Sequence, residues 1–442
     1  MRIFDALIIG GGVGGGAVAL SLAARGYQVA IIEERDWGGT TINRGSTSKR
    51  ALLASAETHY RLTQLHQPVL PLDWSKMATH SASVTTAANQ RYGNRLVVAG
   101  VTTIEGHATF VDSKTVRVHG KQYQANRIIV ATGARPRMLS FPGDQYLEHS
   151  ASFLKSAALP KNITIIGAGI ISFALASIAT EAGTKVTIVQ HNQRALGIFD
   201  RELVQKLIRR LSTAGVDFKF DNTVKMITRQ SSDAYEVTTN KGTFRTQAIY
   251  CVAGRIPNVE DLNLASVGVQ FSKKGIKVDE KLQTTNPHIF ALGDCCDAAV
   301  PKLSNYAIYQ GKYLGASLGN AARFSIKYPI SALTVFSLPK LGQVGISVQN
   351  AAHQKDLEVK KIDLNKWQTY ARNGDNLAQL KLVVNKGSQQ IVGAEVLSQD
   401  ADYLVNYLAL LMQQHINADD LGRQLFAYPT QASDLYGIWQ SK

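Results

Sequence analysis

Two stretches of the chain share one arrangement of apolar, glycine-rich and helix-forming segments. The first has a short, mostly apolar segment at residues 5–9, a glycine cluster, an Ala- and Leu-rich segment to about Arg25, and a second mostly apolar segment at residues 28–32. Short apolar runs bounded by glycine are typical of buried parallel strands, and the segment between them predicts a helix. This stretch is therefore expected to form a strand, a glycine loop, a helix and a second strand.

Glycines occupy the positions that a dinucleotide-binding loop requires. Gly10 makes the tight turn, Gly12 lets the backbone approach a pyrophosphate, and Gly15 lets the helix pack closely on the strand. Glu33, at the end of the second strand, can bond a ribose hydroxyl. A glycine motif alone is weak evidence, but strand, loop, helix and acid together predict a dinucleotide site.

The second stretch repeats the arrangement at residues 162–189. A strand at residues 163–166 leads into Gly167 and Gly169, Ser172 stands in the third glycine position, and a strand at residues 185–189 ends at Gln190. Two such units imply two bound dinucleotides.

The pattern changes from about residue 330. Alternating apolar stretches lie at residues 335–338, 342–346, 380–384 and 391–397, and a helix-like segment follows at residues 401–414. The expected fold class is α/β, with two doubly wound dinucleotide-binding domains and a C-terminal α+β domain.

Composition narrows the class of protein. A chain of 442 residues with 45% hydrophobic residues is long enough for two or three domains. No apolar run reaches the length of about 18 residues that a membrane span needs, and the apolar start suits a strand better than a signal peptide, so a cytoplasmic protein without a membrane span is expected. Cys251, Cys295 and Cys296 have neither metal-ligand nor disulfide spacing, and no metal site is expected.

The formal net charge of +15 is large. It could attract nucleic acid, anionic lipid or an anionic substrate, but the Lys and Arg residues are scattered and form no nucleic-acid motif. A solvated basic surface is the favoured interpretation, and no nucleic-acid partner is expected.

One segment, residues 38–53, resembles the redox-active stretch of the pyridine nucleotide-disulfide oxidoreductases, which include glutathione reductase, dihydrolipoamide dehydrogenase and mercuric reductase. The matching residues are Gly38, Gly39, Thr40, Asn43, Gly45 and Lys49. Thr41 and Ser46 stand where the family carries two cysteines. Hydroxyl groups ionise far above neutral pH and have no reversible two-electron couple, so dithiol chemistry at this site is excluded.

The resemblance implies that FAD binds the first unit and NADPH or NADH the second. It also implies an FAD-binding domain at residues 1–148 and 281–328, an NAD(P)-binding domain at residues 149–280 and a dimerisation domain at residues 329–442. Asp294 is expected to bond the ribityl chain of the flavin. The other expected cofactor-binding residues from the matching motifs are Gly39, Thr40, Thr132, Gly133, Gly254 and Arg255.

The residue at the end of the second strand of the second unit, Gln190, affects the choice between NADPH and NADH. A carboxylate there would repel the 2′-phosphate of NADPH, whereas Gln190 does not, and His191 and Arg194 could help to hold a phosphate. NADPH is therefore favoured over NADH. Ala174 stands where many family members have a glutamate that partners the lysine matched by Lys49, so Lys49 is expected to face the flavin or an anionic acceptor, or to be solvated.

The resemblance further implies a homodimer in which the C-terminal segment of the partner completes the active site. Tyr428 stands in place of the family's histidine base, and Ser433 in place of the glutamate that orients that base. A phenol with a pKa of about 10 cannot cycle a proton near neutrality as imidazole does. Tyr428 is then either a hydrogen-bond donor to a bound acceptor or an aromatic residue of the interface.

The sequence thus predicts an FAD-dependent NAD(P)H oxidoreductase whose flavin passes electrons directly to a small-molecule acceptor: a quinone, a dye-like molecule or dioxygen. Two alternatives stay open. The Tyr-Pro-Thr triplet at residues 428–430 is similar to the soluble pyridine nucleotide transhydrogenases, which exchange hydride at the flavin. A non-catalytic, nucleotide-responsive flavoprotein is the other. The candidate catalytic residues are Thr41, Ser46, Lys49 and Tyr428.

Overall fold

The structure is a computed structural model that describes residues 3–318 and 324–440. The chain divides into two compact units. The first comprises Met1–Ala51, Thr79–Arg137 and Gly254–Lys327, and the second comprises Leu52–Ala78, Met138–Ala253 and Tyr328–Lys442. The first unit therefore resumes at Gly254, earlier than the boundary expected near residue 280, and the domain boundaries stay a prediction.

The helices and strands follow in chain order. The strands are β1 Ile3–Ile9, β2 Val29–Glu33, β3 Thr102–Glu105, β4 Thr109–Asp112, β5 Thr115–Val118, β6 Lys121–Val130, β7 Ala134–Pro136, β8 Glu148–His149, β9 Asn162–Ile166, β10 Lys185–Val189, β11 Val216–Lys219, β12 Val224–Ser231, β13 Ala234–Thr239, β14 Gly242–Thr246, β15 Ala248–Cys251, β16 Arg255–Pro257, β17 Phe271–Ser272, β18 Gly275–Ile276, β19 Ile289–Ala291, β20 Ala332–Val335, β21 Lys340–Gly345, β22 Leu357–Asp363, β23 Gln379–Asn385 and β24 Ile391–Ser398. The α-helices are α1 Val13–Ala23, α2 Gly39–Asn43, α3 Ser46–Gln64, α4 Trp74–Val98, α5 Ser150–Lys155, α6 Ile170–Glu181, α7 Arg201–Thr213, α8 Ser304–Ser317, α9 Val348–Ala351, α10 Gln368–Ala371, α11 Ala401–Gln413, α12 Ala418–Gly422 and α13 Gln431–Gln440.

The first unit is built on a sheet of order β3-β2-β1-β6-β5-β4, with β19 paired to β6. β1 runs parallel to β2 and to β6, and its successive residues point to opposite faces. Leu7 and Ile9 join one buried cluster, while Ala6 and Ile8 join another that includes residues of α1 and α8. Burial on both faces explains why residues 6–9 of this strand are all apolar.

The second unit contains a parallel sheet of order β11-β10-β9-β15-β8. Ile163 and Ile165 of β9 pack in one cluster with Phe173 of α6 and Leu207 of α7. The predicted strand at residues 185–189 matches β10, and a small antiparallel sheet of order β12-β13-β14 follows it in the chain.

The C-terminal part of the second unit is an antiparallel sheet of order β20-β21-β24-β23-β22. Helix α11 packs on it through residues spaced three or four apart: Ala401, Leu404, Val405, Leu408 and Met412. The expected fold class, two doubly wound domains and a C-terminal α+β domain, is confirmed.

The apolar stretch at residues 335–338 is a turn for most of its length. β20 ends at Val335, the Ser337 hydroxyl donates to the Pro339 carbonyl over 2.7 Å, and the Leu338–Pro339 peptide bond is cis. β21 begins directly after Pro339, at Lys340, so residues 336–339 connect the two strands. Among the helices of the described ranges, none has the length and apolar character that crossing a membrane requires.

Candidate functional site

The first glycine loop joins β1 to α1, and its glycines differ in the space around the position of a Cβ. Gly10 has φ +112°, and a Cβ there would lie 2.3 Å from the Ala131 carbonyl oxygen. A Cβ on Gly15 would lie 2.1 Å from the Gly10 carbonyl oxygen, so both glycines are required by the protein itself. A Cβ on Gly12 would meet only the Gly39 Cα, at 4.0 Å. The space beside Gly12 is therefore open, and the α1 N-terminus that borders it favours an anion.

The Glu33 carboxylate holds this loop at the end of β2. Its Oε2 accepts the Gly11 N–H over 2.7 Å, and its Oε1 accepts the Arg35 N–H over 2.9 Å. Burial raises the pKa of Glu33, and the two N–H donors oppose that rise. Each oxygen keeps a lone pair for a ligand hydroxyl.

The second glycine loop, between β9 and α6, repeats this geometry. Gly167 has φ +107°, and a Cβ on Gly169 would meet nothing within 4 Å. Ser172 is fully buried, and within residues 3–318 and 324–440 its hydroxyl has no hydrogen-bond partner. Gln190 Oε1 accepts the Ala168 N–H over 3.0 Å, as Glu33 Oε2 accepts the N–H of the equivalent Gly11. Gln190 therefore does for the second loop what Glu33 does for the first.

The other side of the Gln190 amide shapes the chain that follows. Its Nε2 donates to Asn192 Oδ1 over 2.8 Å and to the Arg194 carbonyl over 3.3 Å. The same Asn192 oxygen accepts the Arg194 N–H over 2.9 Å, and the Asn192 amide contacts His191 Nε2 at 3.2 Å. The Arg194 guanidinium donates to Gln349 Oε1. His191, Asn192 and Arg194 thus form one hydrogen-bonded turn at the end of β10.

The expected flavin-side motifs meet within the first unit. The Thr132 hydroxyl donates to the Asn258 carbonyl over 2.6 Å, and the Asn258 amide donates to the Thr132 carbonyl over 2.9 Å. Gly133 and Gly254 have φ +68° and +116°. Arg255 Nε lies 3.7 Å from Asp294 Oδ2. Asp294 also borders a small pocket that Lys302 and Gln310 help to line, and its burial raises its pKa.

The positions of the missing cysteines lie on α2 and at the start of α3. Thr41 Oγ1 lies 2.7 Å from Ser304 Oγ, so the two hydroxyls share a hydrogen bond. Ser46 is exposed at the first position of α3. Burial, and then the charge of Arg50, lower the pKa of Lys49 to about 8. Gly39 and Thr40, which precede Thr41 on α2, lie beside the open space at Gly12 and beside Gly45 respectively.

The C-terminal segment carries Tyr428 on the surface, with 77% of the residue exposed. Its hydroxyl is 3.5 Å from Gln368 Oε1, and the Arg372 guanidinium donates to the Pro429 carbonyl over 3.0 Å. Ser433 does not orient Tyr428. Its hydroxyl accepts the Thr430 N–H over 2.9 Å and donates to the Thr430 carbonyl, at the start of α13.

The three cysteines of the sequence lie elsewhere and are buried. Cys295 Sγ donates to the Leu292 carbonyl over 3.1 Å and Cys296 Sγ to the Gly293 carbonyl over 3.2 Å. Burial raises the pKa of both thiols, which disfavours the thiolate. No group of metal-binding side chains occurs in the described part of the chain.

Comparison with known proteins decides the family. The family model "Pyridine nucleotide-disulphide oxidoreductase" matches residues 4–311, and the model of that family's dimerisation domain matches residues 331–436. The chain belongs to the pyridine nucleotide-disulphide oxidoreductase family. Members of this family use FAD and NAD(P)H, so the chain is an FAD-dependent pyridine nucleotide oxidoreductase, as the sequence predicts.

Named relatives cover the chain almost end to end. Mercuric reductase of Staphylococcus aureus is 28% identical over 98% of this chain and 81% of its own length. Glutathione reductase of Burkholderia cepacia is 28% identical over 98% of this chain and 97% of its own length. The solved structure of the HOCl-induced flavoprotein disulfide reductase RclA from Escherichia coli, at 24% identity, has a TM-score of 0.91 and covers 99% of both chains, which shows the fold.

The two loops fit the two cofactors of the family. The protein itself does not require Gly12 or Gly169, since neither has a positive φ and a Cβ on either would meet no protein atom closer than 4.0 Å. A bound pyrophosphate explains both. FAD at the first loop and a nicotinamide dinucleotide at the second remain assignments by residue that the predictions below test.

Several contacting residues escaped the sequence reasoning. Ser304 is 263 positions from its partner Thr41, and a serine at a helix start carries no specific signal. The sequence weakly indicated the role of Asn192, because an Asn side chain often accepts the backbone N–H two residues further on and so closes a turn. Gln190's bond to Ala168 was accessible by superposing the two glycine motifs.

Gln190→Glu is expected to lower the preference for NADPH relative to NADH about ten-fold. The carboxylate keeps the acceptor for Ala168 but places an oxygen against Asn192 Oδ1, where the amide donates. It also adds a charge that repels a 2′-phosphate by about 1 to 2 kcal/mol. Rates of flavin reduction at varied NADPH and NADH measure the two affinities.

Gln247→Glu is the matched control, because Gln247 Oε1 also accepts a backbone N–H of the same sheet, from Asn162 at the start of β9. An unchanged preference in Gln190→Glu would show that this side chain does not border the ribose.

Proposed function

We propose that the flavin of this protein takes electrons from NAD(P)H and passes them directly to a small-molecule acceptor, without a protein dithiol. The observation that carries the proposal is the pair of hydroxyl residues, Thr41 and Ser46, at the positions of the family's redox cysteines. Thr41 is engaged with Ser304 by a hydroxyl–hydroxyl bond of 2.7 Å. Neither hydroxyl can attack a disulfide or accept two electrons near neutral pH.

The three cysteines of the chain support the same conclusion. Cys295 and Cys296 donate to backbone carbonyls, are buried, and have raised thiol pKa values. Cys251 is buried within β15. A relay needs a thiolate that reaches its partner, and the surroundings of Cys295 and Cys296 oppose thiolate formation.

The C-terminal segment supports a homodimer without a histidine base. Apolar or aromatic side chains are exposed on α11 and just before Tyr428, within the dimerisation domain: Tyr403, Tyr407, Leu410, Leu425 and Phe426. Such a surface is suited to a second copy of the chain. Tyr428 would then reach the partner's acceptor site as a hydrogen-bond donor, or serve as an interface aromatic.

Anaerobic reduction with each nicotinamide tests the proposal. The yellow protein is expected to bleach rapidly with NADPH or NADH, and the reduced flavin is expected to reoxidise with a quinone, a dye or dioxygen but not with glutathione disulfide, lipoamide or thioredoxin. Slow or absent bleaching would instead favour a non-catalytic, nucleotide-responsive flavoprotein.

Hydride exchange between two nicotinamides is the second candidate, favoured by Tyr428-Pro429-Thr430. Under anaerobic conditions, NADPH-dependent reduction of thio-NAD⁺ that exceeds quinone reduction would select this function. A protein that reduces quinone but not thio-NAD⁺ would eliminate it.

Lys49 gives the flavin chemistry an expected pH dependence. Since its pKa is lowered to about 8, the ammonium is charged below that pH and neutral above it. A nearby positive charge stabilises anionic reduced flavin, so the rate of flavin reduction is expected to fall about ten-fold as pH rises through about 8. Stopped-flow bleaching between pH 6 and about pH 10 measures the profile.

Two variants decide whether Lys49 causes this change. Lys49→Met should remove the break and keep the slow rate throughout. Arg50→Gln should move the break to higher pH, because the charge of Arg50 contributes to the lowered pKa. A break that persists in Lys49→Met would assign the titration to another group.

A further inference from the structure

Arg44 carries a charge that the proposed function does not use. It follows α2 directly, its N–H bonds the Thr40 carbonyl over 3.0 Å, and its guanidinium donates to the Asp36 carboxylate. The Arg44 side chain is only 21% exposed, and that of Asp36 is 39% exposed. The Arg44 guanidinium is therefore less exposed to solvent than that of an ordinary surface ion pair.

The turn that bears Asp36 lies against the open side of the first glycine loop. The Asp36 carbonyl accepts the Gly39 N–H over 3.0 Å, and Gly38 donates its N–H to the Gly11 carbonyl over 2.8 Å. A Cβ on Gly39 would lie 2.9 Å from the Gly12 Cα. The turn that bears Asp36 is therefore held beside the space that the missing Gly12 side chain leaves open.

Two carboxylates, Glu33 and Asp294, are expected at the ribose and ribityl ends of the cofactor. Glu33 is held at the loop by the Gly11 N–H, and Asp294 is paired with Arg255. Burial raises the pKa of Glu33 and the nearby charge of Arg44 opposes this rise, whereas burial and then Arg44 lower the pKa of Arg255. Arg44 therefore lies near both Glu33 and Arg255. The middle of FAD, between ribose and ribityl chain, is its diphosphate.

The arrangement of charges around Arg44 is more favourable with a bound dianion than without one. Arg44 and Arg255 carry like charges close enough to affect each other, and an anion between them offsets their repulsion. Guanidinium groups bind phosphate oxygens through paired N–H donors. An exposed ion pair would contribute little by itself, but Arg44 is mostly buried and faces more than one charged group.

We propose that Arg44 is a diphosphate-binding residue of the FAD site, which leaves Asp36 for the cofactor when FAD binds. Arg255 would contribute from the other side. This inference rests on the assignment of FAD to the first glycine loop.

Equilibrium binding to the flavin-free protein tests the inference. FAD titrations followed by flavin fluorescence are expected to give a dissociation constant about ten-fold higher for Arg44→Gln, with a weaker dependence on salt, since one cation–phosphate contact is lost. Riboflavin, which lacks phosphate, should bind both proteins equally. Asp36→Asn should bind FAD more tightly, because the competing carboxylate is removed.

Arg35→Gln is the matched control, since Arg35 is a nearby exposed arginine that pairs with Glu34; its FAD affinity should equal that of the wild type. Equal FAD affinity in Arg44→Gln and wild type would overturn the inference, as would an equal loss for FAD and riboflavin. If Gly12→Glu retains its flavin, the loop assignment fails instead, so the two failures are distinguishable.

Discussion

Gly12→Glu protein is expected to purify without flavin. The glycine has open space around its missing Cβ, with only the Gly39 Cα at 4.0 Å, so the new side chain fits the protein and fills the place of the pyrophosphate. Its charge adds repulsion on the order of 4 kcal/mol at 4 Å and an effective dielectric constant of 20, which corresponds to a loss of affinity of about 10³-fold. Flavin content per chain, measured from absorbance, reports the outcome.

Gly169→Glu supplies the matched control in the second loop. It makes the same substitution at the equivalent glycine, where a Cβ also meets no protein atom within 4 Å. This variant should keep its flavin and lose nicotinamide binding, measured as the rate of anaerobic bleaching. Full flavin content in Gly12→Glu, with an unchanged melting temperature, would contradict the FAD assignment.

The variant Thr41→Cys with Ser46→Cys is expected to form a disulfide that the flavin can reduce, visible as a long-wavelength thiolate-to-flavin charge-transfer band. A thiolate at position 46 would lie at the N-terminus of α3, which lowers thiol pKa values. Disulfide turnover should stay low, because the leaving thiolate still lacks a proton donor. Wild type should show no turnover of glutathione disulfide, lipoamide or thioredoxin.

Addition of Tyr428→His should raise turnover by about 10² to 10⁴-fold, the usual contribution of general acid catalysis. The lower end is expected, because Ser433 is engaged with Thr430 and no carboxylate stands at its position to orient the imidazole. Tyr428→Phe in the double-cysteine protein is the control and should not raise turnover. Wild-type turnover would overturn the dithiol-free proposal, whereas a fully active double variant would remove only the role of position 428.

Local sequence predicted the elements that position the cofactors. The strand predicted at residues 185–189 is β10, with the same bounds, because its buried Val186, Ile188 and Val189 form the apolar pattern of a strand in the sheet interior. The glycine positions follow from backbone geometry, and the structure separates those that the protein requires, Gly10 and Gly15, from Gly12, which it does not.

Contacts between residues far apart in the chain could not be predicted from the sequence. Thr41 contacts Ser304 because α2 and α8 come together in the fold. The residues next to each of them in the sequence do not predict this contact. The same holds for Gln349, which binds the Arg194 guanidinium from a helix 155 positions further along the chain. Side-chain pairing of this kind depends on tertiary packing and not on propensity.

The equivalent bonds of Glu33 and Gln190 separate scaffolding from ligand choice. Each loop needs one oxygen acceptor at the end of its second strand, and a carboxylate and an amide meet that need equally. The remaining atom differs with its partners: the Glu33 oxygen accepts the Arg35 N–H, whereas the Gln190 nitrogen donates to Asn192 Oδ1 and to the Arg194 carbonyl. The charge that a nucleotide encounters can therefore change with one side-chain atom, while the loop backbone keeps its acceptor, provided that the turn after the strand supplies a matching partner for that atom.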